Sequence, residues 1–311
     1  MITARIDPAL GVRVLGSRAL RYSEPARLGD DRPAHVRAAS GLAFANGRLA
    51  VIQDDAAFIA MVAGNEVASI VLPRGSGGRR RYEVGLGNKS EKLDLESCIA
   101  LGDDLYAFGS GSTEARERVV HVGYATRVLD AAPLYRVLRE ETDGPVNIEG
   151  VAAVSHELWL FHRGNCGAGD RGPAIIRFAR AAILKWLAGN GPVPEPTGSS
   201  RFDLGTAGAV RYGFTDAVGA GDRAFYIAAA EDSPNAVDDG AVLGSQLGVI
   251  ETGPGGDRQV RAAALVVDGV PLKAEGIAFD PADPRHAWIA IDPDDVDKPS
   301  RLFELELVGP W

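Results

Sequence analysis

Apolar residues in this chain fall in short runs with strand-like character, and most runs end at glycine, asparagine or aspartate. Residues 92–110 show the pattern most fully. An acid, Glu96, precedes a small residue and the apolar run Cys98-Ile99-Ala100-Leu101; Gly102-Asp103-Asp104 carries turn chemistry; Leu105-Tyr106-Ala107-Phe108 returns as a second strand. Variants of this hairpin recur. Glu149-Gly150-Val151-Ala152 leads to Leu158-Trp159-Leu160-Phe161, and the step from Glu149 to Leu158 equals that from Glu96 to Leu105. Glu275-Gly276-Ile277-Ala278-Phe279 leads through a longer turn to a run at 286–292, and weaker copies begin at Thr215-Asp216 and at Ser40-Gly41. Five units can be counted.

Taken in order, residues 41–72 hold four apolar runs separated by Asn46-Gly47, Asp54-Asp55 and Gly64-Asn65, which predicts an antiparallel meander. The second unit repeats the plan, with third and fourth strands expected at 118–124 and 127–135. In the third unit residues 179–188 are rich in helix formers and closed by Gly189, which predicts a short helix; Pro192, Pro194 and Pro196 end it, and 201–204 returns as the outer strand. The fourth unit carries an insertion at 232–244. The last unit supplies only three strands, and Val12-Arg13-Val14-Leu15 fits the missing place, closing a ring through the two chain ends.

The reading is therefore all-β: one β-propeller domain over residues 1–311, built of four-stranded antiparallel blades. Five blades are counted. A sixth stays open if the first 39 residues combine with the C-terminal segment, and a β-sandwich or two domains is the alternative. Unit starts at Ser40, Glu96, Glu149, Asp216 and Glu275 are separated by 56, 53, 67 and 59 residues, the length that a four-stranded blade with loops requires.

Composition narrows the chemistry. Thirty-eight glycines against two methionines suit a turn-rich β protein. A net charge of −9 repels phosphate backbones and anionic membranes, so neither nucleic acid nor membrane is expected as a partner, and Arg79-Arg80-Arg81 reads as a solvated loop. Two cysteines make no disulfide framework; Cys98 is expected buried and Cys166 exposed. The N-terminus lacks a leader pattern and no apolar run approaches the ~18 residues of a membrane span, so the expectation is a cytoplasmic protein that takes a small-molecule substrate or ligand.

In a propeller the residues heading the first strands converge near the axis. Glu96, Glu149, Asp216 and Glu275 would then form a ring with Ser40 in fifth place. Such acids repel one another unless protonated, paired or metal-bound. Hard oxygen ligands in this number suit Ca²⁺, with Mg²⁺ second; the same acids would equally lock blade to blade through Lys92, Lys273 and Arg163. The ends of the second strands add Asp54-Asp55, Ser110, His162-Arg163, Glu231-Asp232, Asp292 and Asp294, on a face left open here. By type, His162 is the candidate general base and Arg163 the candidate anion holder, with Lys92, Lys273 and Asn147 as candidate substrate contacts; a strand-end His162 without a task is the competing reading. Residues 167–172 spell a dinucleotide loop but lead into Pro173 and a strand, and His156-Glu157 lacks the second histidine of a zincin.

The openings Ser40-Gly41-Leu42-Ala43-Phe44, Glu149-Gly150-Val151-Ala152 and Glu275-Gly276-Ile277-Ala278, with Trp288-Ile289-Ala290-Ile291-Asp292, resemble the phytase-like esterase family of β-propellers and the wider group of calcium-associated lactonases and phosphotriesterases. The likeness spans residues 40–292 through short motifs that describe blade architecture. It implies a propeller, usually six-bladed in that group, and a metal-supported hydrolase of esters, lactones or phosphoesters. A non-catalytic binding or scaffolding propeller with a structural acid ring is the alternative.

Overall fold

Each hairpin unit folds into an antiparallel blade whose first strand lies at the axis and whose later strands step outward. A computed structural model describes residues 1–311 apart from 166, 168, 233–239, 253–256 and 268. Blade 1 runs from Ala39–Ala45 to Glu66–Val71, blade 2 from Leu95–Leu101 to Thr126–Asp130, blade 3 from Ile148–Val154 to Pro196–Asp203, and blade 4 from Gly213–Ala220 to Arg258–Ala264. Blade 5 comprises Ala274–Asp280, Asp283–Ile291, Arg301–Val308 and, from the other end of the chain, Gly11–Ala19. Leu305 pairs with Val14 and Leu307 with Val12, so the expected closure by the N-terminal strand holds. The five inner strands neighbour one another in a closed cycle, and the count is five, not six.

The N-terminus also crosses two outer edges on its way to blade 5. Ile2–Thr3 pairs parallel with Pro196–Asp203, and Arg5–Ile6 pairs parallel with Arg258–Ala264, so blades 3 and 4 each gain a short fifth strand that covers the edge.

The core is divided by the same geometry. Strand alternation presents apolar side chains on both faces of each blade, and they meet as five clusters, one in each gap between neighbouring blades. Ile52 and Ile59 face Cys98 and Ala107 between blades 1 and 2. Phe161, Phe214 and Tyr226 pack edge to face between blades 3 and 4, with ring centroids 5.1 Å apart in both pairs.

One expectation is corrected. The fourth strand of blade 2 stops at Asp130, and Ala132–Thr142 is an α-helix. Pro133 stands in its first turn, where the missing N–H costs nothing, and Leu134, Tyr135 and Leu138 lie on one face at helical spacing, filling the gap between blades 2 and 3. The helix expected in the third unit is present as Arg180–Leu187. The insertion of blade 4 is shorter than expected, because Asp232 already pairs with Ala241; its centre and Cys166 lie outside the described residues. Among the described residues no helix is long and apolar enough to cross a membrane.

Candidate active site

All five inner strands break register at the same place. In each, one residue is bulged out of the ladder near the start of the strand: Ser40, Glu96, Glu149, Thr215 and Glu275. A bulge re-aims a side chain and sharpens the local twist, and here it aims five equivalent residues at one end of the ring. The fourth member is Thr215, not Asp216.

Asp216 stands one residue further on, in register with Gly41, Ser97, Gly150 and Gly276. The glycines mark a close approach of neighbouring inner strands: a Cβ at Gly150 would lie 3.0 Å from the nitrogen of Ala217, and one at Gly276 3.0 Å from the backbone of Gly41. Asp216 is wholly buried at this level. Its carboxyl accepts the N–H of Ala217 at 2.7 Å and that of Ile277 in blade 5 at 2.8 Å. Burial raises it well above the carboxylate range, against the backbone donors of Ile277, Ala217 and Leu42. The structure therefore separates Asp216 from the three glutamates: it ties inner strands together below them.

The two hydroxyl members also join blades. Ser40 Oγ donates to the carbonyl of Leu95 in blade 2, and Thr215 Oγ1 to that of Ala274 in blade 5, the latter at 2.7 Å. Glu96, Glu149 and Glu275 instead face a cavity of about 590 Å³ at this end of the ring. The residues two places before the bulges, Ala38, Asp94, Asn147 and Lys273, line it too, as do Asp54, Arg163 and Asp292 just past the ends of second strands. Antiparallel pairing sets the head of the first strand beside the tail of the second, so the two groups of residues separated in the sequence reading share one site.

Seven of the nine residues singled out from the sequence line this cavity: Glu96, Glu149, Glu275, Arg163, Lys92, Lys273 and Asn147. Asp216 and His162 do not. Neighbouring residues on an extended chain point oppositely, so with Arg163 in the cavity His162 turns into the blade. Its Nδ1 lies 3.0 Å from the Asn147 nitrogen and accepts that N–H, and its Nε2 is 3.3 Å from Asp170. A side chain only 1% exposed and bonded at both ring nitrogens holds the loop; it does not reach a substrate.

Charges in the cavity are densely paired. Lys92 Nζ lies 2.6 Å from Asp54 of blade 1 and 2.5 Å from Asp94 of blade 2, and Arg116 approaches Asp94 at 2.9 Å. Arg163 bridges Glu149, at 3.4 Å, and Glu231 of blade 4. Glu149 also takes the Asn147 side-chain N–H at 2.7 Å. Lys273 faces Asp294 and, at 3.9 Å, Glu275. At the rim Arg37 joins Asp55, at 2.5 Å, to Glu83, at 3.2 Å. Of these, Arg37, Glu83, Asp94 and Arg116 escaped the sequence reading. The one local signal was Asp94, a polar residue two places before the acid, which adopts a left-handed backbone with φ of 54°.

Glu96 stands apart: its carboxyl has no hydrogen bond or ion pair among the described residues. Burial, together with the carboxylates of Asp94, Glu149 and Asp54, raises it well above the ordinary range, Lys92 opposing. Burial pushes Glu275 up to about 8 against Lys273 and Arg163. Glu149 is raised by burial and pulled back by Arg163. Asp94 is held low because the Lys92 and Arg116 charges overcome its burial.

Of the four acids expected to ring one metal, Glu96, Glu149 and Glu275 share the cavity and Asp216 lies apart from it. Three carboxylates that do come within 4.8 Å of one another are Asp54, Asp94 and Glu96, and the Lys92 ammonium already bonds two of them. That donor set suits a resident ammonium better than a calcium ion, which asks for six to eight oxygens, commonly including carbonyls and waters.

The overall architecture recurs in a solved structure. The glutaminyl cyclase of Myxococcus xanthus superposes with a TM-score of 0.50 at 11% identity, covering 97% of this chain and 98% of that one. Apo AztD from Citrobacter koseri gives a TM-score of 0.28 at 9% identity over 81% of this chain and 53% of that one. No curated protein matches the sequence. A family model described as "Family of unknown function (DUF6929)" matches residues 35–307, and the chain belongs to that family.

Proposed function

We propose that the axial cavity is a hydrolytic active site for a small carboxylic ester or lactone, with Glu96 as proton donor. The observation that carries this is the Glu96 carboxyl, open to the cavity, without a hydrogen-bond or ion-pair partner among the described residues, and raised well above the ordinary carboxylate range by burial and by the carboxylates around it. Glu149, on the next blade, is oriented by Asn147 and Arg163 and is suited to take a proton from water. The Lys92 ammonium beside Glu96 supplies positive charge where a carbonyl oxygen becomes negative. Ten acidic against six basic side chains line the cavity, which favours a neutral or cationic ester over a phosphoester.

No step is routed through a metal. The likeness to a glutaminyl cyclase supports the fold, and at 11% identity the reaction has to be argued from the side chains alone. The test is turnover of a panel of aryl esters and lactones by the wild type, Glu96→Gln and Glu149→Gln. Loss of about 10²–10⁴-fold in kcat for Glu96→Gln, with the melting temperature retained, supports the assignment; wild-type rates in that variant would overturn it.

A second reading, a non-catalytic binding propeller, is favoured by the cross-blade pairing itself. Lys92 joins blades 1 and 2, and Arg163 joins blades 3 and 4. Absence of turnover across the whole panel selects this reading.

A further inference from the structure

The head of blade 1 differs from its neighbours. Where blades 2, 3 and 5 place Asp94 and Glu96, Asn147 and Glu149, and Lys273 and Glu275, blade 1 places Ala38 and Ser40, and these small side chains line the cavity. Blade 1 therefore puts no long side chain at these two positions, while the blades on either side of it bring Glu96 and Asp292 to the cavity. Asp54 of blade 1 adds its charge to both. Each basic side chain described above already serves carboxylates elsewhere, and neither Glu96 nor Asp292 has an ion-pair partner among the described residues; Asp292 accepts only the N–H of Asp294, at 3.2 Å.

The mouth above this space has the opposite character. Val84, 78% exposed, and Val296, 47% exposed, line it from different loops, and Leu86, 41% exposed, stands beside Val84 in the same turn. The first loop is tied down through Glu83 to Arg37, and the second by a contact of 3.3 Å between the Val296 carbonyl and His35 Nε2. Exposed valines held on anchored loops at the rim of a charged cavity suit an apolar group leaving that cavity.

We propose that the cavity takes an amphiphilic monocation: a primary ammonium seated over blade 1 among Asp54, Glu96 and Asp292, with an unbranched or aryl tail lying across Val84 and Val296. The ammonium gives Glu96 and Asp292 a charged donor that no described side chain supplies, while Asp54, already bonded by Lys92, adds its charge; the tail covers the exposed valines. This names the substrate class of the site proposed above and rests on that reading only for the claim that the occupant is hydrolysed.

Calorimetric titration of the full chain with butyl-, hexyl- and octylammonium chloride, and with hexanoate and calcium chloride as comparisons, tests it. Affinity should rise about two- to fourfold per added methylene, and hexanoate should not bind. Val84→Ser with Val296→Ser should flatten the dependence on chain length, and Asp292→Asn should weaken every amine. Binding of hexanoate as strong as that of hexylammonium, displacement of hexylammonium by calcium, affinity independent of chain length, or no amine binding would each overturn the proposal. Amine binding without ester turnover would remove the hydrolase and keep the amphiphile; ester turnover without amine binding would do the reverse.

Discussion

The carboxyl of Asp216 in blade 4 accepts the backbone N–H of Ile277 in blade 5, at 2.8 Å, at the narrow level where the inner strands meet. The same carboxyl accepts the N–H of Ala217. Two buried donors thus depend on one side chain, and stranding a buried donor costs about 1–3 kcal/mol. Asp216→Ala should therefore lower unfolding free energy by roughly 2–5 kcal/mol, with Asp216→Asn losing less because its carbonyl still accepts. Urea unfolding measures both; an alanine variant as stable as the wild type would remove the inter-blade role.

Lys92 holds Asp54 and Asp94, with Glu96 in reach of the same point. Wild-type melting temperature should accordingly stay constant in EDTA and in millimolar calcium. Lys92→Ala should destabilise the protein and make calcium stabilising, since three close carboxylates are then left with Arg116 on Asp94 as their one cation among the described residues. Thermal melts with and without calcium read both effects, and a wild type that loses stability in EDTA would show that a metal is resident.

Glu275 is pushed up to about 8 from an ordinary 4.5. A group whose folded value is raised binds its proton more tightly in the native state, so its contribution is full below about 4.5 and is lost as pH rises through about 8. Glu275→Gln has no such titration. The difference in melting temperature between variant and wild type should move in favour of the variant from pH 5 to pH 9; a constant difference would place the native group at its ordinary value.

His162 lies outside the cavity with both ring nitrogens engaged. His162→Gln should cost about 1–2 kcal/mol of stability through the lost bond to the Asn147 N–H and leave the pH profile of ester turnover in place. Disappearance of the acidic limb of that profile would instead make the histidine the base.

Much of this architecture was legible in advance because it follows from local rules. Period-two alternation and glycine or aspartate turns define the hairpins, and three strands in the last unit against four elsewhere point to closure by Val12-Arg13-Val14-Leu15. Glu96, Glu149 and Glu275 were legible as equivalents because Glu and its small successor recur at one distance from the strand. The helix at Ala132–Thr142 was missed because Val128 and Leu129 open the stretch with strand character, and Leu134, Tyr135 and Leu138 read equally as a continuing apolar run until the blade 2–3 gap they fill is known. Asp216 was misaligned by one residue, since Thr-Asp in blade 4 resembles an acid-led opening and only the ladder shows that Thr215 is the bulged residue.

The sequence by itself determined the repeat, the class of fold, the closing strand and the kind of residue gathered at the blade heads, because these depend on spacing along one chain. The tertiary structure decided which acid is axial support and which faces the cavity, because one bulge shifts a side chain to another face. It also decided which charges cancel. Lys92 reaches Asp54 from another blade, and among the described residues Glu96 is left unpaired beside a lysine that Asp54 and Asp94 already hold.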